Sequence, residues 1–316
     1  MENAKIIGLR VLIMSVILCI GVIAYKTKVI SKDGTKQLSA IELKIINPLL
    51  IFMSYQEPFD TEKLHGLLWS FVLSAASFAV TIGLATVLKR KNKNENWSVE
   101  RFSCIYSNCG FMGIPLIKGL YGNEGVLYLT AYITLFNLLV FTHGYMLMKE
   151  ETDFSALVKA VRSPSVIAVF IGLICYVTRL RIDAVPAVGG VLSEALQAVA
   201  DMNTPMAMLI AGATAAQTAL LKTLTDRRIL TTAASKLLIV PAAIILLMHF
   251  VPSGVPLMPR LIVCIACACP AATTGTMFAL LLDKNAKRCS EIFALTTVAS
   301  MATLPLIAAF ASLLVR

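Results

Sequence analysis

The chain has 316 residues, 58% of them hydrophobic and only 15% charged, with a mean hydropathy of +0.80. Soluble domains carry about 25% charged residues, so one soluble core cannot enclose this much apolar surface, and lipid is the expected solvent. A net charge of +10 invites a nucleic-acid reading. The Lys and Arg residues gather instead in alternate loops, which is a membrane-topology pattern and leaves no role for nucleic acid.

Apolar runs of about 20 residues cross a bilayer as helices. Taken in chain order, ten such runs are expected, near 7–25, 38–57, 65–88, 101–120, 125–148, 163–180, 190–220, 228–250, 257–282 and 288–314. The short loops between them leave no room for a soluble domain. No small-x-small cleavage site follows the first run, which is therefore read as a true span rather than a signal peptide. Basic residues crowd the loops at 26–36, 89–101, 149–162, 222–228 and 284–288. The opposite face has only Lys5, Arg10, Lys63, Lys118, Arg179, Arg181, Arg260 and Arg316. The positive-inside rule puts the richer face in the cytoplasm, with both termini outside and the chain in the cytoplasmic membrane. The basic stripe KRKNKNENW at 89–97 is read as a topology signal, with anionic headgroups as the alternative partner.

The chain reads as doubled. IINPLLIFM in the second run and DMNTPMAMLI in the seventh each set an Asn (Asn47, Asn203) ahead of a Pro. SNCGFMGIPL in the fourth run and CACPAATTG in the ninth are each broken by Gly and Pro, and each is followed by a charged turn, GNEG or DKNAKR. The halves are 1–150 and 151–316, five spans each. Since five is odd, the second half enters the membrane from the opposite side, as in the inverted repeats of secondary transporters. The expected fold class is an all-α polytopic membrane protein of ten helices, with broken helices four and nine crossing.

Pro and Gly inside a span cost helix stability, about 3 and 1 kcal/mol respectively. Non-helical backbone at membrane depth survives only where protein buries it or a cavity takes it. Asn108, Cys109, Gly110, Gly113 and Pro115 form the first break. Cys269, Pro270, Thr273, Thr274 and Gly275 form the second. Half-helix N-termini meeting there would favour a carboxylate.

Among ionisable residues within spans, Lys236 is the candidate to meet the substrate carboxylate, to neutralise carbonyl ends, or to stand in for a bound sodium. Asp201 is the candidate carrier of a coupling proton. Lys44 and Glu42 are read as lying near an interface, as are His143 and His249. Cys264, Cys267 and Cys269 form a C-x-x-C-x-C. They are read as small packing residues, so no metal and no cofactor is expected. No Gly-rich phosphate loop points to ATP.

Four stretches carry a resemblance: R-x6-N-x-G-x2-GIPL from Arg101, SP-x-VIA at 163–168, TPMAMLIAGA at 204–213 and ALTTVASMATLPL at 294–306. In this order they resemble the auxin efflux carrier family, which includes plant PIN-type carriers and bacterial organic-anion carriers. The resemblance covers essentially the whole chain. It implies ten spans in inverted repeats, with spans 1, 2, 6 and 7 as a scaffold and spans 3–5 and 8–10 as a mobile transport domain. It further implies an elevator-type carrier of small organic anions and a homodimer through the scaffold; coupling to protons, to sodium or to neither is left undecided by the sequence. The long loop between spans five and six found in many plant members is missing, which favours a bacterial-type carrier. A sodium-coupled bile-acid-type symporter and a membrane sensor remain as alternatives. An intramembrane enzyme would need paired catalytic groups that the sequence does not offer.

Overall fold

Polar caps fix where several helices begin. In the computed structural model, which describes residues 2–89, 95–151, 164–218 and 223–315, Ser31 accepts from the Gly34 amide at the start of α2, which follows α1 (Glu2–Lys26) and spans Lys32–Ile41. Asp60 caps α4 (Thr61–Leu88), the helix after α3 (Asn47–Ser54). Next come α5 (Trp97–Ile105), α6 (Ile114–Leu139), α7 (Tyr145–Lys149), α8 (Pro164–Val177), α9 (Gly189–Asp201) and α10 (Asn203–Ala216). Asp226 caps α11 (Arg227–Ala234) through the amides of Arg228 and Ile229. After α12 (Val240–His249), α13 (Leu257–Ala268) and α14 (Thr274–Leu281), Asn285 caps α15 (Ala286–Leu314). Each such cap satisfies amides that the first turn leaves without an intrahelical partner.

Three helices widen by one residue just before a proline. π-helical turns cover Glu42–Ile46, Cys109–Gly113 and Ser235–Ile239, and Pro48, Pro115 and Pro241 each stand at the second residue of the helix that follows. Proline donates no amide hydrogen, and its ring crowds the carbonyl four residues back. Widening the preceding turn relieves that contact without ending the helix.

Among the described residues five stretches are long and apolar enough to cross a membrane: Lys32–Ser54, Thr61–Leu88, Cys109–Lys149, Arg227–His249 and Ala286–Leu314. Leu12–Lys26, Pro164–Val177 and Leu257–Ala268 are shorter apolar helices. Leu257–Ala268 ends where Cys269 and Pro270 split a run that the sequence presents as continuous. Conversely, Cys109–Lys149 holds two helices joined at Gly122, whose φ of 64° opens the expected GNEG turn. Large apolar side chains such as Ile23, Ile174, Leu306 and Phe310 point outward, more than half exposed, as lipid-facing residues do. Most of the basic stripe at 89–97 lies outside the described residues, at 90–94.

Helices α1 and α10 pack backbone to backbone. A Cβ on Gly212 would lie 2.0 Å from the Leu18 carbonyl oxygen, and one on Gly21 would lie 2.4 Å from that of Leu209. Helix α3 packs against α8 and α9, while α4, α6 and α13 form a second group. A small apolar cavity lies between α1 and α10, through Met14, Leu18 and Met208, and the Cys109–Gly113 turn and α15, through Met112, Met301 and Leu304.

Candidate functional site

Helix α5 stops at Ile105 because Tyr106 turns extended (φ −91°, ψ 119°), and α13 stops where Cys269 does the same (φ −57°, ψ 152°). The two extended pieces run antiparallel. The Asn108 amide donates to the Pro270 carbonyl at 2.7 Å, and the Ala272 amide donates to the Tyr106 carbonyl at 2.9 Å, with Ser107 opposite Ala271. The Ala271 amide donates to Thr296 Oγ1 at 3.1 Å. Tyr106, Ser107, Asn108 and Ala271 are all buried. Pro270 can only accept, and that is all this pairing asks of it. The breaks therefore satisfy one another, which is how irregular backbone is tolerated away from water.

Two helices end at this point and two begin. The π-helical turn from Cys109 leads into α6, and Thr273 leads into α14. Beginnings carry a partial positive charge and ends a partial negative one, about half a charge each. Lys236 upsets that balance. It is fully buried on the π-helical turn of the α11–α12 rod, and its Nζ donates to Ser107 Oγ at 2.6 Å and to the Cys267 carbonyl at 3.3 Å. Ser107 Oγ also donates to the Cys267 carbonyl at 3.0 Å. The cation thus neutralises the carbonyl end of α13, leaving a net positive field from the two helix beginnings. An anion is the guest such a field favours. Lys236 acts here through Ser107 and Cys267 rather than from an open wall.

The remaining candidates surround this crossing in different ways. Asn108 Nδ2 and Thr274 Oγ1 are buried without a hydrogen-bond partner. A Cβ on Gly113 would touch both Cys109 and Cys269, and one on Gly275 would come within 3.0 Å of the Phe102 ring. A Cβ on Gly110 would lie 3.5 Å from Asn47 Nδ2. Asn47 Oδ1 accepts from Asn203 Nδ2, which also donates to Glu42 Oε1 at 2.6 Å. The two Asn residues that stand ahead of a Pro in the sequence repeat are thus bonded to each other, and Asn47 lies beside the first break at Gly110.

Asp201 sits elsewhere. It is 56% exposed and paired with Lys118 at 2.6 Å, with Gln197 as a second donor. Glu42, read from the sequence as interfacial, is fully enclosed, while Lys44 two residues on is exposed. His143 is partly buried, its Nδ1 2.8 Å from the Tyr106 hydroxyl. Glu42 and Ser107 are the polar residues that sequence reasoning missed. Five residues along an α-helix rotate by about 140° net, which sets Glu42 and Asn47 on different faces. The π-helical turn closes that gap, and the Asn47 amide bonds back to the Glu42 carbonyl.

An ion cluster, buried at Glu100 and open at Asp226, ties the breaks' supporting helices together. Arg288, at the start of α15, donates to Glu100 Oε1 of α5 at 2.8 Å and to both carboxylate oxygens of Asp226. Burial raises the Asp226 carboxyl, but hydrogen bonds from Arg288 and from the Arg228 and Ile229 amides outweigh it and hold the group below the ordinary value.

A family model described as "Membrane transport protein" matches residues 7–308 of the chain. No curated protein matches it.

Proposed function

The chain belongs to the membrane transport protein family, that of the auxin efflux carriers, and from that premise we propose that it is a secondary carrier of small organic anions, mono- or dicarboxylates, working by an elevator movement. The observation that carries this reading is the antiparallel pairing of Tyr106–Asn108 with Pro270–Ala272 deep inside an apolar chain. A plain structural bundle would gain nothing by breaking two helices at one point, whereas a site for a carboxylate gains two helix beginnings.

In this reading the two groups of helices have separate roles. Those of α1, α3 and α8–α10 act as the scaffold, and those of α4–α7 and α11–α15 move. The tight α1–α10 contact supports a rigid scaffold, and the methionine-lined seam supports a surface that can slide, because Met adapts to changing shapes. Ten spans in a 5+5 inverted repeat, a bacterial-type carrier, a homodimer through the scaffold and both termini outside complete the proposal. Asn108, Thr274 and the amides from Cys109 to Gly110 and at Thr273 and Thr274 would meet the substrate, with Gly275 giving it close approach. Pro115 and Pro270 would hold the breaks open. Lys236 would position Ser107.

A thermal-shift screen of the purified full chain against malonate, succinate, acetate and uncharged amide analogues tests this. A ligand that binds only the folded form raises its apparent stability. A carboxylate that stabilises the wild type while its amide does not is the expected result. Equal behaviour of acids and amides would overturn the anion reading.

A further inference from the structure

Glu42 is the one group of the Asn47–Asn203 pair's surroundings whose chemistry the carrier reading leaves unused. It is fully buried, and only one of its carboxylate oxygens has a partner. Oε1 accepts from Asn203 Nδ2 at 2.6 Å, while Oε2 is buried with no hydrogen-bond partner. Asn203 Oδ1 is likewise buried and unpartnered. An unpartnered carboxylate oxygen beside an unpartnered amide oxygen is an expensive arrangement away from water, and it invites a cation or a proton.

Among the described residues the surroundings supply no counter-charge. On its own rod, Lys44 is exposed, as are Lys32, Asp33 and Lys36 of α2, the latter two paired with each other. Helix α3 carries no ionisable residue. Helix α8 offers Cys175 and Tyr176, whose hydroxyl donates to the Asp60 carbonyl. Helix α10 carries no ionisable residue at all. Among the described residues no group of three or more His, Cys, Asp or Glu could hold a metal. A bare metal cation asks for a shell of several oxygens, and this cluster has two to spare. A proton asks for one.

We propose that Glu42 is the proton-binding group of the carrier, its Oε2 taking up the proton and Asn203 and Asn47 relaying its state to the crossing at Gly110. This deepens the carrier reading and rests on it. Protonation turns Oε2 from a second acceptor into a donor. Asn203 is held by Glu42 Oε1 and holds Asn47 Oδ1, and Asn47 Nδ2 lies in contact range of the first break. A change at Glu42 therefore reaches the moving helices through two side chains. That path joins α2–α3 and α10, on the scaffold side, to the π-helical turn at Cys109–Gly113. Asp201, exposed and already neutralised by Lys118, has no such connection.

Two measurements test the proposal on the full chain. The first is infrared spectroscopy of wild type and Glu42→Gln across pH. Glutamine keeps an oxygen for Asn203 and has no proton to lose. The wild type is expected to show a protonated-carboxyl band at neutral pH that Glu42→Gln lacks. Identical spectra at every pH would overturn the proposal. The second is accumulation of malonate in proteoliposomes under an imposed pH gradient or an imposed sodium gradient. The pH gradient should drive the wild type, and Glu42→Gln should equilibrate malonate without responding to it. Accumulation driven by sodium alone, or pH-driven accumulation in Glu42→Gln, would also overturn it. If malonate is moved by neither protein under any gradient, the carrier reading fails for that substrate, and the infrared comparison still decides Glu42.

Discussion

Lys236 and Glu42 are both fully enclosed in an apolar chain, each on a π-helical turn that precedes a proline, yet their surroundings differ. Lys236 finds Ser107 and the carbonyl end of α13. Glu42 finds one amide and is left with an unpartnered oxygen. The first charge completes a piece of architecture; the second waits for something to arrive. A buried charge in a membrane protein is thus read by what its neighbours leave unsatisfied, more than by its depth.

Arg288 calibrates the comparison, because it is a buried charge with two acidic partners and no part in the crossing. Arg288→Ala should lower stability by about 3 kcal/mol, because the buried Glu100 loses a charged donor, measured by denaturation in detergent. A loss no larger than that of Glu42→Gln would erase the contrast. Lys236→Met should cost roughly 2–3 kcal/mol, since Ser107 and the Cys267 carbonyl lose a charged donor while the volume stays filled. A Lys236→Met protein as stable as wild type would show that Lys236 is held for the substrate and not for the architecture. Glu42→Gln should change stability by less than about 0.5 kcal/mol, within the range of substitutions that break no partnered network. A large loss would make Glu42 structural after all. The smallest effect belongs to Asp226. Its folded-state carboxyl lies below the ordinary value, so its contribution is present above the unfolded value of about 4 and fades as pH falls through the folded one. Asp226→Asn should flatten the acid limb of the stability profile, and an unchanged limb would remove the Arg288 contact as its source.

Much of this could be read from the chain. The two Gly- and Pro-broken stretches stood out because such residues are costly inside a span, and the structure shows extended backbone at both, from Tyr106 and from Cys269. Asn47 and Asn203 stood out because each precedes a proline at a matching place. Two things were hidden. Ser107 looked like any serine, and only the meeting of distant segments gives it Lys236 as a donor. Glu42 is read as interfacial for its place near the start of its run, and an α-helical count also sets it on a different face from Asn47. The extra residue of the π-helical turn re-aims it, and nothing in the local composition apart from the following proline signals that turn. Asp201 drew attention as an acid in an apolar run, but a run broken between α9 and α10 leaves it exposed beside Lys118.

The most direct measurement is uptake of labelled malonate into proteoliposomes by wild type and by the double variant Pro115→Ala with Pro270→Ala, each first shown to be folded and monodisperse. The wild type should accumulate malonate, and the double variant should not, because repaired helices no longer present two beginnings to one point. A well-folded double variant that transports malonate like the wild type would contradict the account.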